Sequence, residues 1–90
     1  MSTKIEIKAW HKRAWEDYLY WQDQDKRTLK KINALLKDIE RDPYSGIGHP
    51  EELKHDLAGC LSREIDATNR MVYRVVENWV EIIRCRGHYK

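Results

Sequence analysis

Several side chains, most of them in the second half of the sequence, could carry proton-transfer chemistry on a substrate that develops negative charge. Such chemistry needs a carboxylate or imidazole to take a proton, a second group to return one, and a cation to stabilise the developing charge. The residues of suitable type are Glu51, Glu52, His55, Arg63, Arg70, Arg86, His88 and Tyr89. Residue types alone indicate general acid–base chemistry without a defined substrate, and each of these side chains could equally be a solvated surface group.

Three other kinds of chemistry find less support in the sequence. His49, Glu51 and His55 are close together, but their spacing is not that of a zinc site. Neither Cys60 nor Cys85 belongs to a CxxC pair or to a cysteine–histidine motif, and both are expected to be small, partly buried thiols. The segment "SGIGHP" does not lead into a helix, as a phosphate-binding glycine loop would. No metal and no cofactor is therefore expected.

The size and charge of the chain limit the classes of protein it could belong to. Its 90 residues predict a single domain, 1–90, with a modest core. The 17 basic and 15 acidic residues leave a net charge of +2, so only a local basic face could serve nucleic-acid binding. The sequence has no signal-peptide pattern and no apolar run long enough for a membrane span, which predicts a cytoplasmic protein without membrane contact.

The first half of the chain predicts one strand and two helices. "KIEIKAW" alternates Ile5, Ile7 and Ala9 with other residues, as a strand does. A first helix should begin near Lys12 and end near Gln22. Its predicted apolar face contains Trp15, Tyr18, Leu19 and Gln22. A second helix should start after an N-cap at Asp23 or Asp25 and stop before Pro43. Its apolar stripe contains Leu29, Ile32, Leu35, Leu36 and Ile39.

The second half predicts a loop followed by three strands. "DPYSGIGHPEE" is rich in proline and glycine and is interpreted as a surface loop. The strands "CLSREID", "RMVYRVV" and "WVEIIRCR" are separated by turns at "ATN" and at Glu77-Asn78, which gives an antiparallel meander. The order of elements indicates an α+β domain, with an N-terminal strand and a two-helix hairpin packed on one face of an antiparallel sheet.

The opposite face of that sheet is where functional side chains could lie. Strand alternation predicts one side for Arg70, Val72, Arg74 and Val76, and the other side for Met71, Tyr73 and Val75. In the last strand it predicts one side for Arg84, Arg86, His88 and Lys90, and the other side for Ile83, Cys85, Gly87 and Tyr89. Regular alternation is expected to fail after Gly87, where glycine allows the chain to turn. The arginines would form either a solvated face or a concave basic surface.

Three stretches of the sequence carry a resemblance to a known family. They are "WEDYLYWQDQDKRTLKKINALLKDIERDPYSGIGHPEELKHDLAG", "NRMVYRV" and the closing "CRGHY". Together, and in this order, they resemble the YoeB branch of the RelE superfamily, the toxins of bacterial type II toxin–antitoxin pairs. The resemblance covers nearly the whole chain. It implies a RelE-like α+β fold and a ribosome-dependent endoribonuclease that cleaves mRNA in the ribosomal A site without a metal.

The resemblance also implies roles for individual residues. Glu51 would be the general base, with Glu52 as the alternative, because the two are adjacent. Arg70 would stabilise the charged phosphoryl group and His88 would be the general acid. The residues expected to contact RNA or its phosphates are Lys54, Arg63, Arg86 and Tyr89. The products would be a 2′,3′-cyclic phosphate and a free 5′-hydroxyl.

The resemblance implies partners and leaves alternatives open. The expected partners are mRNA, the 70S ribosome, a cognate YefM-like antitoxin and a second copy of the chain in a homodimer. Arg74 and Arg84 could contact the ribosome or the antitoxin, or be ordinary surface charges. Glu64 departs from the family, whose members often carry a second basic residue there. A protein of the same fold that inhibits a protein target such as gyrase, or a catalytically silent binding module, would not need Glu51, Arg70 and His88.

Overall fold

Residues 5–88 are described by a computed structural model, in which two helices cover one face of a five-stranded sheet. The elements are β1 (Ile7–Trp10), α1 (Lys12–Gln24), α2 (Lys26–Arg41), β2 (Glu51–Glu52), a 3-10 turn (His55–Leu57), β3 (Leu61–Glu64), β4 (Arg70–Val76) and β5 (Trp79–Arg84). The predicted α+β class and helical hairpin are confirmed. Within the described part of the chain, neither helix is long and apolar enough to cross a membrane.

The sheet has the strand order β1-β5-β4-β3-β2. The predicted meander of β3, β4 and β5 is confirmed, whereas β1 adds to β5 in the parallel direction, which makes the sheet mixed. Glu51 and Glu52 belong to the segment predicted to be a loop, but they pair with Ser62 and Leu61 of β3. The predicted loop was therefore too long by these two residues, and this short edge strand fixes the backbone of Glu51.

Local signals in the sequence explain where the helices begin and end. The carboxylate of Asp25 accepts hydrogen bonds from the backbone N–H groups of Arg27 and Thr28, at 3.1 and 3.2 Å, and so caps the start of α2. The helix α2 ends at Arg41, before Pro43, as predicted. Its predicted apolar stripe faces the sheet. The buried members of the stripe are Ile32, Leu35, Leu36 and Ile39.

The buried face of α1 differs from the prediction. Of the expected face of Trp15, Tyr18, Leu19 and Gln22, only Tyr18 packs against the main core, and the other three are exposed. The buried residues of α1 are instead Ala14, Asp17 and Trp21. The backbone of Cys85, just beyond β5, explains the rotation: its N–H donates to Asp17 Oδ2 at 3.1 Å, and its carbonyl accepts from Trp21 Nε1 at 2.8 Å. Satisfying these buried backbone groups determines which side of α1 turns inward. Trp15 is left 45% exposed.

The alternation predicted for β4 is confirmed. Met71 and Tyr73 pack in the main core under the helices, whereas Val72 lies on the opposite, open face of the sheet. In β5 the alternation is interrupted earlier than predicted. Tyr73 pairs with Ile82 and Val72 with Arg84, so Ile83 is an extra residue that forms a β-bulge.

The bulge corrects one prediction about the last strand. Ile83 packs against the apolar cluster of the open face, while Cys85 lies in the main core. The two residues were predicted to share a side, and they do not, because the extra residue shifts the phase of the alternation. Arg84, opposite Val72, lies on the open face.

Candidate active site

The open face of the sheet brings several of the predicted site residues together. Residues directly opposite each other on neighbouring strands share a face. The register pairs Glu51 with Ser62, Ser62 with Val72 and Val72 with Arg84, so this row crosses four strands. Arg70 lies on the same face, two residues before Val72 on β4 and opposite Glu64 of β3.

Glu51 and Arg70 form an ionic contact on this face. Arg70 Nη1 lies 3.5 Å from Glu51 Oε1, and the two side chains reach each other across β3. The Arg70 side chain is 20% exposed and that of Glu51 51% exposed. The cation is therefore held largely within the protein surface, while the carboxylate remains accessible to a substrate.

The register separates Glu51 from Glu52. Glu52 is opposite Leu61, whose side chain packs in the main core on the helix side of the sheet. Successive residues of a strand point to opposite faces, so Glu52 is directed away from the face that carries Arg70. The geometry thus favours Glu51 over Glu52 as the residue that works with Arg70.

A surface cavity adjoins Glu51. It has a volume of about 400 Å³ and is lined by residues 51–57, which include Lys54 and His55. Lys54 is exposed and immediately precedes the 3-10 turn. The cavity therefore combines three carboxylates, an ammonium group and an imidazole around one opening, which makes its lining strongly polar.

The backbone leading to His88 is tied to Arg70. Beyond the end of β5, Gly87 has a φ of +84°, a conformation that glycine adopts readily, and its carbonyl accepts a 3.0 Å hydrogen bond from the Arg70 N–H. The predicted turn at Gly87 is thus present. His88 is exposed. The predictions for Tyr89 and Lys90 lie outside the described residues.

The predicted phosphate contact of Arg63 is wrong. Arg63 is opposite Met71, so its side chain faces the helices, and it is 0% exposed. Its guanidinium donates to Asp38 Oδ2 at 2.6 Å, to the Tyr73 hydroxyl at 3.0 Å, and to the carbonyl oxygens of Asp42, Ser45 and Ile47. Strand alternation could not reveal this role, because every partner comes from elsewhere in the chain.

The Arg63 network supports the segment that leads to β2. The Tyr73 hydroxyl donates to the Pro43 carbonyl at 2.6 Å, and Arg63 binds three further carbonyls of the same loop. Arg41 and Arg63 together hold the pKa of the Asp38 carboxyl far below its ordinary value. Burial raises the pKa of the Tyr73 hydroxyl, which keeps it protonated as a donor. The loop before Glu51 is thereby fixed to the core.

Two other basic residues considered for RNA or partner binding, Arg86 and Arg74, have partners within the protein. The Arg86 guanidinium lies 3.5 Å from the centre of the Tyr20 ring on α1, the geometry of a cation–π contact. Arg74 Nε donates to Glu81 Oε1 at 2.6 Å, and Arg74 and then His11 hold the pKa of Glu81 below its ordinary value. Arg74 is therefore partly neutralised. That Arg86 contacts RNA stays a prediction.

The two cysteines are poorly suited to nucleophilic chemistry. Both are free and buried. Burial raises the pKa of the Cys60 thiol, and it raises the pKa of Cys85 to about 12. Because the thiolate is the reactive form, neither thiol is activated at neutral pH. The thiols were expected to be partly buried, and the structure buries both of them.

Sequence reasoning missed several residues that support the site. Asn69 was recognised only as part of a turn, yet its Oδ1 accepts a 2.8 Å hydrogen bond from the Gly87 N–H. The spacing of Asp66 and Asn69 is typical of a turn stabilised by its own side chains, which could have marked it. Tyr20 and Asp38 gave no comparable signal, because their partners are remote in sequence.

Comparison with known proteins relates this chain to a family. Residues 10–89 match the model of the YoeB-like toxins of bacterial type II toxin–antitoxin systems. The chain is 51% identical to the toxin YoeB of Escherichia coli K12 over 80 residues, which cover 89% of this chain and 95% of that protein.

Solved structures give the same result. A YoeB/ParE toxin from Agrobacterium tumefaciens superposes with a TM-score of 0.89 at 43% identity, covering 93% of this chain and 100% of the other. YoeB of Staphylococcus aureus was solved as a dimer, with a TM-score of 0.85 at 45% identity over 92% of this chain and 97% of the other. It was also solved as a heterotetrameric YoeB–YefM complex, with a TM-score of 0.86 at 44% identity over 96% of this chain and 99% of the other.

The match to the family model spans more than half of the chain, and the fold and the order of its elements agree with the solved relatives. This chain therefore belongs to the YoeB-like toxins of bacterial type II toxin–antitoxin systems.

Proposed function

We propose that this chain is an endoribonuclease that cleaves mRNA in the ribosomal A site by general acid–base catalysis. The observation that carries the proposal is the 3.5 Å contact between Arg70 and Glu51 on the open face of the sheet, together with the backbone hydrogen bond from Arg70 to Gly87, the residue before His88. In this proposal, His88 adds an imidazole to the accessible carboxylate of Glu51 and the partly buried cation of Arg70. Membership of a toxin family supports a role in growth control.

Glu51 acts as the general base in this proposal. The carboxylate takes the proton of an RNA 2′-hydroxyl, whose oxygen forms a bond to the adjacent phosphorus. The Glu51 side chain is 51% exposed, so an RNA strand can reach it. The bond between phosphorus and the 5′-oxygen of the next nucleotide breaks as the new bond forms.

His88 and Arg70 act on the negative charges that develop on the departing 5′-oxygen and on the phosphoryl oxygens. A positioned imidazole is a common general acid, and His88 gives a proton to the departing 5′-oxygen. A guanidinium has five N–H donors in a fixed fork. Arg70 can therefore face Glu51 with one edge and bind phosphoryl oxygens with the others. The products are a 2′,3′-cyclic phosphate and a free 5′-hydroxyl.

RNA binding relies on local rather than total positive charge. The net charge of +2 is small, but Arg70 and Arg84 lie on the open face, and Lys54 lines the cavity beside Glu51. Backbone-phosphate contacts of this kind give affinity without base preference. Arg86 and Tyr89 complete the proposed RNA contacts at the end of the chain.

We further propose that an antitoxin of the YefM type binds this chain and that the toxin forms a homodimer. The Staphylococcus aureus relative assembles with YefM and also forms a dimer. An antitoxin segment that folds on binding could cover the open face of the sheet and so block the site.

The direct test uses purified protein, 70S ribosomes programmed with a defined mRNA, and the same mRNA without ribosomes. The proposal predicts a cut within the A-site codon on the ribosome and a much slower reaction on free mRNA. Intact mRNA in both samples would refute the proposed activity. Equal cutting in both samples would refute the ribosome dependence alone.

A further inference from the structure

The backbone of Gly87 is held by two consecutive residues, Asn69 at the end of the β3–β4 connection and Arg70 at the start of β4. Its N–H donates to Asn69 Oδ1 at 2.8 Å, and its carbonyl accepts from the Arg70 N–H at 3.0 Å. These bonds lie beyond the end of β5 at Arg84, so they are not part of the regular sheet ladder. The peptide group whose carbonyl is held is the one that joins Gly87 to His88.

The Asn69 side chain is itself held in one orientation. Its Nδ2 donates to both carboxylate oxygens of Asp66, at 3.1 Å each. Asp66 Oδ1 also accepts from the backbone N–H groups of Thr68 and Asn69, at 2.9 and 2.7 Å. With the amide nitrogen fixed by Asp66, the amide oxygen is directed at the Gly87 N–H. The turn therefore presents a preorganised acceptor to Gly87 in the segment 85–88 that follows β5, the tail.

We infer that Asn69 is a positioning residue that sets the location of His88 relative to Arg70. This inference rests on the proposed role of His88 as the general acid. Arg70 contributes its side chain to the contact with Glu51 and its backbone N–H to Gly87. Asn69, the neighbour of Arg70, supplies the second bond to Gly87. With a single hydrogen bond the backbone at Gly87 could still rotate about that bond, whereas two hydrogen bonds restrict this rotation.

Cys85 and Arg86, which precede Gly87, are held by residues of α1 and not by Asn69. Replacing Asn69 should therefore affect the chain only from Gly87 onward. Cys85 is held by Asp17 and Trp21, and the Arg86 side chain lies over Tyr20. These anchors belong to α1 and fix the chain before it turns. The positive φ of Gly87 then redirects the backbone, and Asn69 meets it at that residue.

The expected effect of losing this bond is kinetic. Displacing a catalytic group by about 1 Å can reduce the rate about a hundredfold. Asn69→Ala removes the acceptor for Gly87, and Thr68→Ala is the matched control. Thr68→Ala deletes the contacts of Thr68 Oγ1 with Asp66 Oδ1 and Asn69 Nδ2, at 3.2 Å each, in the same turn. It keeps the two Asp66 bonds that orient the Asn69 amide and the bond from Asn69 to Gly87.

The experiment measures single-turnover cleavage on programmed ribosomes as a function of toxin concentration, together with thermal unfolding. Asn69→Ala should lower the limiting rate about tenfold to a hundredfold, with the half-saturating concentration changed by about twofold or less. Thr68→Ala should cleave at nearly the wild-type rate. Wild-type cleavage by Asn69→Ala, or equal losses in both variants, would overturn the inference.

A second measurement on the free protein separates this inference from the proposed function. Amide hydrogen exchange and 15N relaxation should show a protected Gly87 N–H and an ordered His88 backbone in wild type, both lost in Asn69→Ala and kept in Thr68→Ala. Rapid exchange of Gly87 in wild type would overturn the inference. If wild type fails to cut mRNA, the proposed function is wrong, and the exchange data still decide whether Asn69 positions the tail.

Discussion

Arg70 Nη1 lies 3.5 Å from Glu51 Oε1, although the two residues belong to strands that flank β3 and do not pair with each other. The contact exists because β2, β3 and β4 present Glu51, Ser62 and Val72 in one row, with Arg70 beside it. A proton acceptor and a permanent cation are thus adjacent on a face that the helices leave open. This relationship underlies the predictions for catalysis.

Replacing Glu51 should affect cleavage far more than replacing Glu52. Glu51→Gln removes the proton acceptor while keeping the shape of the side chain, and the cleavage rate should fall about a hundredfold to ten-thousandfold. Glu52→Gln is the matched control, because Glu52 pairs with Leu61 and points away from Arg70. It should change the rate by about twofold or less, as a surface substitution does. Single-turnover cleavage on programmed ribosomes measures both, and similar losses would contradict the assignment.

Replacing Arg63 should destabilise the fold. Arg63→Met leaves Asp38, the Tyr73 hydroxyl and three loop carbonyls without the guanidinium. Removing one partner of a buried ion pair typically costs about 3–5 kcal/mol, and we expect a loss of this size in the free energy of unfolding. Urea denaturation followed by tryptophan fluorescence measures it.

Arg41→Met serves as the control for Arg63. Arg41 also binds Asp38, at 2.9 Å, but its side chain is 59% exposed. An exposed ion pair contributes at most about 1 kcal/mol, so the control should lose much less stability than Arg63→Met. A stable Arg63→Met variant that had lost only RNA binding would instead restore Arg63 as a phosphate contact.

The free energy of unfolding should decrease in acid. The guanidiniums of Arg41 and Arg63 lower the pKa of Asp38 in the folded protein from its ordinary value of 3.8. A carboxyl with a lowered folded pKa stabilises the protein above its unfolded pKa, and this contribution is lost as the pH falls through the folded value. Stability should therefore decline progressively below about pH 5.

Asp38→Asn tests the origin of this acid sensitivity. The variant lacks the titrating carboxyl, so its free energy of unfolding should depend less steeply on pH below about pH 5, whatever its stability at neutral pH. Urea titrations at a series of pH values give the slope. An unchanged slope would show that other carboxyls are responsible, among them Asp42 and Glu81, whose pKa values are also lowered.

Gly87→Ala should weaken cleavage more than it weakens the fold. The φ of +84° would cost an alanine about 1–2 kcal/mol, although the added Cβ would have room, with Arg13 Nη2 at 3.8 Å. Relief of this strain would turn the backbone next to His88. Gly59→Ala is the matched control, with a φ of +91° and no atom within 4 Å of its added Cβ. Both variants should unfold at similarly reduced temperatures, but Gly59→Ala should cleave faster.

The sequence predicted elements whose signals are local. Asp25 and Pro43 mark the start of α2 and the region beyond its end, and alternation in β4 correctly assigned Met71 and Tyr73 to one side and Val72 to the other. The family resemblance then selected Glu51, and the register explains why Glu52 is not equivalent.

The features that the sequence did not predict depend on remote contacts. The buried role of Arg63 requires Asp38 and the loop carbonyls, and the orientation of α1 depends on the backbone of Cys85. The bulge at Ile83 depends on pairing with β4 and has no sequence signature of its own. Periodicity gives the relative sides of neighbouring residues, but not the partner that each side meets.

The most direct test of the account is the chemistry of the mRNA ends produced on programmed 70S ribosomes by wild type and by His88→Gln. The account predicts that wild type cuts the A-site codon and leaves a 2′,3′-cyclic phosphate and a free 5′-hydroxyl. It also predicts that His88→Gln cuts about a hundredfold to ten-thousandfold more slowly at the same position, because the leaving oxygen lacks its proton donor. Intact mRNA with wild type, a 5′-phosphate product, or normal cutting by His88→Gln would contradict it.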